Sequence, residues 1–211
     1  MTRISLLILG AFAIMAGAIC VLVLIPKAML SGIEPPPQLQ PYTPQQLAGR
    51  EVYIANGCLY CHSQQVRDAS FTTDVDRGWG SRPTVPADYV YDKPHLLGTM
   101  RTGPDLINVG QRLPDPDWQL IHLYDPRSLV EWSIMPGYPY LFEEKAPDAV
   151  RPDDRVVRIP GPRAPKGVVV VAKPEALALV DYLISLKRQY PVPDSAQARD
   201  RMATGGAHGS H

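Results

Sequence analysis

Asn56-Gly57-Cys58-Leu59-Tyr60-Cys61-His62-Ser63-Gln64 is the stretch on which the reading of this chain turns. Two cysteines three apart on one turn of helix can each add a thiol to one of the two vinyl groups of a haem. The next residue then places an imidazole under the iron, so Cys-x-x-Cys-His reads as covalent c-type haem attachment. Rival uses of the pair fit less well. A structural zinc site needs four ligands, commonly from a second paired set, whereas His95, His122, His208 and His211 are scattered. A thioredoxin-like redox pair needs a βαβ setting, and none surrounds the motif. The third cysteine, Cys20, lies in an apolar run, so the chain is not a disulfide scaffold.

Immediately upstream, Thr43-Pro44-Gln45-Gln46 predicts a helix start. Thr43 suits the N-cap, Pro44 the first helical position, and Gln46 completes a capping box. Asn56-Gly57 is a C-terminal stop. Gly49 and Tyr53, four apart, share one face, and a glycine there admits a second helix crossing close to the backbone. Before this helix, Glu34-Pro35-Pro36-Pro37 marks a stiff, extended linker. Ile4 to Ile25 carries neither charge nor proline. It exceeds the ~20 residues needed to cross a bilayer core and the roughly 7 to 15 of a cleaved signal peptide.

Downstream, residues 63–142 are rich in Pro, Gly, Asp and aromatic residues and show little periodicity. They read as ordered loop with short helices, organised by a bound group. Arg155-Val156-Val157-Arg158-Ile159 and Val168-Val169-Val170-Val171 are β-prone, with turn residues between them, and predict a small hairpin. A final helix is expected from Pro174 to Tyr190. Its apolar stripe is Ala176, Leu179, Val180, Leu183 and Leu186. Lys187 and Arg188 sit in its last turn, and Pro191 ends it. The expected organisation is a transmembrane anchor over 1–26 (helix about 4–25), a Pro-rich linker over 27–43, a haem domain over 44–190 and a flexible tail over 191–211. Lys plus Arg number 21 and Asp plus Glu 21, a formal net charge of zero, so no strong field draws the chain to nucleic acid.

A haem on His62 needs a second axial ligand, Met or His. Met1, Met15 and Met29 lie in or beside the anchor and Met202 in the tail, which leaves Met100 and Met135. In Ser133-Ile134-Met135-Pro136-Gly137, the proline and glycine fix a turn that presents the methionine rigidly. Core filling is the competing role for either methionine. Met135 is the expected ligand and His122 the reserve. A metal-bound histidine usually donates its free ring nitrogen to a carbonyl. The Pro104 carbonyl in Gly103-Pro104-Asp105-Leu106 is the expected acceptor for His62, and an ordinary proline turn is the alternative.

Taken together, capped helix, Cys-x-x-Cys-His, Gly-Pro-x-Leu, Met-Pro and terminal amphipathic helix resemble the class I cytochrome c fold. In that fold the first and last helices cross at a glycine and an aromatic. Gly49 and Tyr53 match the first helix, and Tyr182 or Leu183 the other. Gly57 through Gln64 is similar to the mono-haem subunit II of cbb3-type cytochrome c oxidases. So are Tyr91-Asp92 through Arg101-Thr102-Gly103-Pro104-Asp105-Leu106, His122-Leu123-Tyr124-Asp125-Pro126-Arg127, and Ser133-Ile134-Met135-Pro136. The likeness covers residues 45–142, with the anchor and last helix in general style, while 143–172 and the tail depart from it.

The resemblance implies a mainly α protein, with a single transmembrane helix and a class I cytochrome c domain with long irregular loops, to which the residues themselves add the small β-hairpin. It implies one covalent haem c on Cys58 and Cys61, His62 and Met135 as axial ligands, and Pro104 as support for the histidine. It further implies electron transfer to a polytopic haem–copper catalytic subunit of a respiratory terminal oxidase, fed by a further cytochrome c subunit or a soluble cytochrome. The location implied is a bacterial inner membrane, single-pass, with the haem domain on the periplasmic side. Arg3 and Lys27 leave the positive-inside count level. With both axial positions filled the iron has no open site, so the chain itself is expected to make and break no substrate bonds. The alternatives are an electron-transfer subunit of a related nitric oxide reductase and a stand-alone tethered shuttle.

Overall fold

A computed structural model describes residues 2–192. The expected flexible tail lies outside the described residues from Pro193 onward. The chain divides into two units, Met1–Pro37 with Val85–Val90, and Gln38–Thr84 with Tyr91–His211.

The first unit is dominated by a helical run, Arg3–Leu30, with a mean hydropathy of 2.9 in its most apolar window. It is long and apolar enough to cross a membrane. Three pieces make it up: α1 (Arg3–Ile19), a wider π turn (Cys20–Leu24) and α2 (Ile25–Leu30). Thr2 caps its start, its hydroxyl accepting from the Ser5 N–H at 3.3 Å. The helix passes the expected end at Ile25 because Pro26 is accommodated within it. A proline offers no N–H and crowds the carbonyl four residues back. The π turn widens the ladder just ahead of it, with the Ile25 N–H reaching back to the Cys20 carbonyl.

In the second unit α3 (Pro44–Ala55) forms as the capping residues predict. Thr43 Oγ1 accepts from the Gln46 N–H at 3.2 Å, and Gln46 Oε1 accepts from the Thr43 N–H at 3.0 Å. Thr43→Ala is expected to lower stability by about 1 kcal/mol, read as a lower urea midpoint at unchanged slope. Gly57, at φ +67°, ends the helix in a left-handed turn that suits glycine.

The opposing element is α6 (Pro174–Ser185). A Cβ built on Gly49 would lie 1.8 Å from the Ala178 carbonyl oxygen, so the two helices touch backbone to backbone. Beside that contact the Tyr53 and Tyr182 rings meet at 5.6 Å, nearly edge to face, and both are buried. Tyr182 thus supplies the aromatic on the far side. Ala176, Leu179, Val180, Leu183 and Leu186 are all buried, so the apolar stripe does face the core.

α6 stops at Ser185 rather than Tyr190 because tertiary hydrogen bonds draw the chain out of the helical path. The Leu186 carbonyl accepts from the Gly110 N–H at 3.1 Å, and the Arg188 N–H donates to Asn108 Oδ1 at 2.6 Å. The Arg82 guanidinium donates to the Arg188 and Tyr190 carbonyls, each at 3.0 Å.

Between the crossing helices the chain is irregular, punctuated by α4 (Val109–Arg112) and α5 (Pro116–Tyr124). The expected hairpin is present as β2 (Val156–Val157) and β3 (Val169–Ala172), antiparallel, with Val156 opposite Val171. A further strand, β1 (Phe142–Lys145), pairs on the other side of β3, with Phe142 opposite Ala172, so β3 is the central strand. Phe142-Glu143-Glu144-Lys145 has too little β-prone character to announce itself. Over the described residues the protein is mainly helical, with one candidate transmembrane helix and a small three-stranded sheet.

Candidate functional site

The Cys-x-x-Cys-His run follows directly from Gly57. Cys58–Tyr60 makes one tight turn, and the Cys58 carbonyl accepts from the N–H groups of Cys61 at 3.2 Å and His62 at 3.0 Å. This places both cysteines and His62 on the wall of an apolar cleft of about 350 Å³. That volume lies in the range of cofactor pockets. Leu106, Val109, Leu113, Leu123 and Leu183 give the cleft its apolar character, and Met135 stands in its lining.

Backbone bonds clip the His62 segment to the 97–106 loop. Gly103 N–H donates to the Cys61 carbonyl at 2.9 Å, Leu106 N–H to the Ser63 carbonyl at 2.8 Å, and Gln64 N–H to the Leu97 carbonyl at 2.8 Å. His62 Nδ1 lies 2.7 Å from the Pro104 carbonyl oxygen. A carbonyl only accepts, so Nδ1 carries the proton and Nε2 keeps its lone pair. Gly103 lies flat against the same ring: a Cβ there would come within 2.3 Å of His62 Cε1. Burial lowers the pKa of the His62 imidazole, which favours the neutral, ligating form. Burial likewise pushes the Cys58 thiol up to about 11.

Met135 is half-buried and packs against the core, whereas Met100 is 58 % exposed and outside the cleft. His95 is exposed and also outside it. His122 does line the cleft, its ring stacked on Trp118 at 4.7 Å and 11°. Burial, with a smaller contribution from His62, lowers its pKa to about 4. A histidine held neutral in the fold destabilises the folded state once the unfolded chain can take up a proton. Stability is therefore expected to fall as pH drops from about 6.5 toward 4. His122→Phe should flatten that part of the stability–pH curve, measured by urea midpoints across the interval.

The residues of the cleft fit a haem. The lining is apolar, without a single acidic side chain, as a flat macrocycle requires. Two buried nitrogens in it, Arg112 Nε and His122 Nδ1, have no hydrogen-bond partner among the described residues. Such donors suit the two carboxylates that a haem carries. Arg112 and Trp118 escaped sequence reasoning because nothing local separates a cleft-lining arginine or tryptophan from a surface one. Gly103 stood inside a recognised string, but its contact with the His62 ring is visible only in three dimensions.

No curated protein matches the chain. The family described as cytochrome C oxidase, mono-heme subunit/FixO matches residues 1–158. That span runs through the candidate transmembrane helix, all of the cleft lining but Leu183, and the first two strands. It extends past position 142, where the sequence resemblance was expected to give out, and leaves β3 and α6 beyond it. With this match over most of its length, the chain belongs to the FixO family of mono-haem subunits of cytochrome c oxidase.

Proposed function

We propose that this chain is the electron-transfer subunit of its oxidase, holding one haem c and relaying single electrons to the haem–copper catalytic subunit. The observation that carries the reading is that Cys58, Cys61, His62 and Met135 line one apolar cleft. Cys58 and Cys61 would hold the haem by thioether bonds, His62 Nε2 and the Met135 sulfur would be the axial ligands, and Pro104 would orient His62. When bound, the haem supplies a reversible one-electron ferric–ferrous couple. The chain's own residues do the rest. The Pro104 carbonyl fixes the imidazole and its tautomer. The Met135 thioether, a softer ligand than a second imidazole, would favour the reduced state. The leucines and valines of the lining exclude water, so little solvent has to reorganise as the charge changes.

In this reading residues 1–26 anchor the chain in a bacterial inner membrane, 27–43 form a spacer, and the domain over 44–190 stands on the periplasmic side. A further cytochrome c subunit or a soluble cytochrome is the donor. The test is isolation of the full chain from its native membranes in mild detergent, with identification of its companions and a reduced-minus-oxidised spectrum. The expected result is a polytopic companion carrying b-type haem and copper, together with a low-spin c-type band. A lone low-spin chain would move the reading to a tethered shuttle. Met135→Ala is expected to open the sixth position, so that carbon monoxide shifts the reduced spectrum of the variant and leaves the unaltered chain unchanged.

A further inference from the structure

Next to His62, outside the cleft lining, lies a buried charge cluster that the proposed function does not use. Asp105 directly follows Pro104 and is fully buried, as is Ser63, which directly follows His62. Asp105 Oδ2 accepts from the Ser63 hydroxyl at 2.6 Å and from the Gln65 N–H at 2.7 Å, while Oδ1 accepts from the Ile107 N–H at 2.9 Å. Every partner is a donor, and these bonds favour the ionised carboxylate against burial, which pushes its pKa up. Arg101 closes the cluster. Its Nε donates to Ser63 Oγ at 2.9 Å, one terminal nitrogen pairs with the buried Asp74, and the other donates to the Gln65 carbonyl at 2.5 Å, 4.0 Å from Asp105 Oδ2. Two carboxylates meet the Arg101 guanidinium, and the Arg112 guanidinium, which donates to the Asp105 backbone carbonyl, lies beside them, so Asp105 is the anion of this buried cluster that stands nearest the histidine's carbonyl support.

We infer that Asp105 is a positioning residue for His62 that also lowers the reduction potential of the haem, with Arg101 as its partial counterweight. The inference rests on His62 being the axial ligand, as proposed above. The positioning follows from the connections. Asp105 ties the residues after Pro104 to the residues after His62, so the donor and acceptor of the His62–Pro104 hydrogen bond are held by one carboxylate. The electrostatic part follows from charge. Ferric haem carries one more positive charge than ferrous, so a buried anion nearby stabilises the oxidised form, and burial keeps water from screening it.

The two residues carry opposite charges, so opposite shifts distinguish tuning from mere support. The experiment is an equilibrium redox titration of the reduced-haem band on the full chain purified in mild detergent. Asp105→Asn is expected to raise the reduced-to-oxidised ratio about tenfold at a fixed solution potential, which for one electron is about 59 mV upward. Arg101→Gln is expected to move the ratio in the opposite direction, and Arg101→Lys, which keeps the charge, to lie near the unaltered protein. A clamp without electrostatic influence would loosen His62 in both neutralised variants and shift them the same way. That outcome, or no shift in variants with unaltered spectra, overturns the inference. Should Asp105→Asn fail to retain haem, the Arg101 pair decides alone, since it leaves the Asp105 contacts to Ser63, Gln65 and Ile107 in place. There the absence of a fall in Arg101→Gln overturns the inference. Absence of any c-type band in the unaltered chain would instead overturn the haem reading beneath it.

Discussion

Cys58→Ala with Cys61→Ala is expected to leave a chain that retains no haem through denaturing electrophoresis, read by in-gel peroxidase staining. Each single variant should keep a weakened signal, because the remaining thiol can still form one thioether. The larger consequence is for the fold. The irregular segment between α3 and α6 has few regular hydrogen-bonded elements of its own, and the cleft of about 350 Å³ lies at its centre. Without a bound group its leucine, valine and isoleucine side chains would face water and lose the stabilisation that burial gives them. Folded domains have only about 5–15 kcal/mol in hand. The double variant should therefore accumulate far below the unaltered chain, and its soluble fraction should show an expanded, protease-sensitive domain.

Gly49→Ala is the second large effect, and its direction is the opposite of what helix propensity alone gives. In an exposed helix interior the change would stabilise by roughly 1 kcal/mol. Here the added Cβ would sit 1.8 Å from the Ala178 carbonyl oxygen, and the adjoining Leu179 nitrogen is 2.9 Å away. Both are backbone atoms, which cannot swing aside as a side chain can. The helices must part by more than an ångström, pulling Tyr53 from Tyr182 and disturbing Leu183, which lines the cleft. A loss of about 3 kcal/mol or more is expected, at the upper end for overpacking. Thermal unfolding followed by far-ultraviolet dichroism measures it. The exposed neighbour Glu51→Ala on the same helix serves as control and should be nearly neutral.

The parts of this architecture that could be read in advance are those set by local chemistry. Thr43, Pro44 and Gln46 specify a helix start by bonds reaching only three residues, and the structure forms both bonds. The stripe from Ala176 to Leu186 announces a buried face through its spacing, and Gly49 with Tyr53 announces a crossing. The hydrogen bond from His62 to Pro104 was legible because a metal-bound imidazole needs an acceptor and a proline turn offers one. What escaped is set by distant partners. α6 ends early because Asn108, Gly110 and Arg82 compete for its backbone, and no residue between Leu186 and Tyr190 records that. β1 exists because β3 offers an open edge to Phe142 through Lys145. Asp105 could be seen in its string, but its role depends on Ser63, Arg101 and Asp74, which converge only on folding.

The crossing of α3 with α6 also orders events in time. Gly49 meets Ala178 about 130 residues farther along, a separation typical of slow, non-local closure. During synthesis the cysteine pair emerges early, while the helix that supplies Leu183 to the cleft and the central strand β3 are still unmade. For that interval Cys58 and Cys61 belong to an open chain, where the haem attachment of the proposed function would meet no finished cleft. Closure by the far end then brings Leu183 to the cleft and completes its wall.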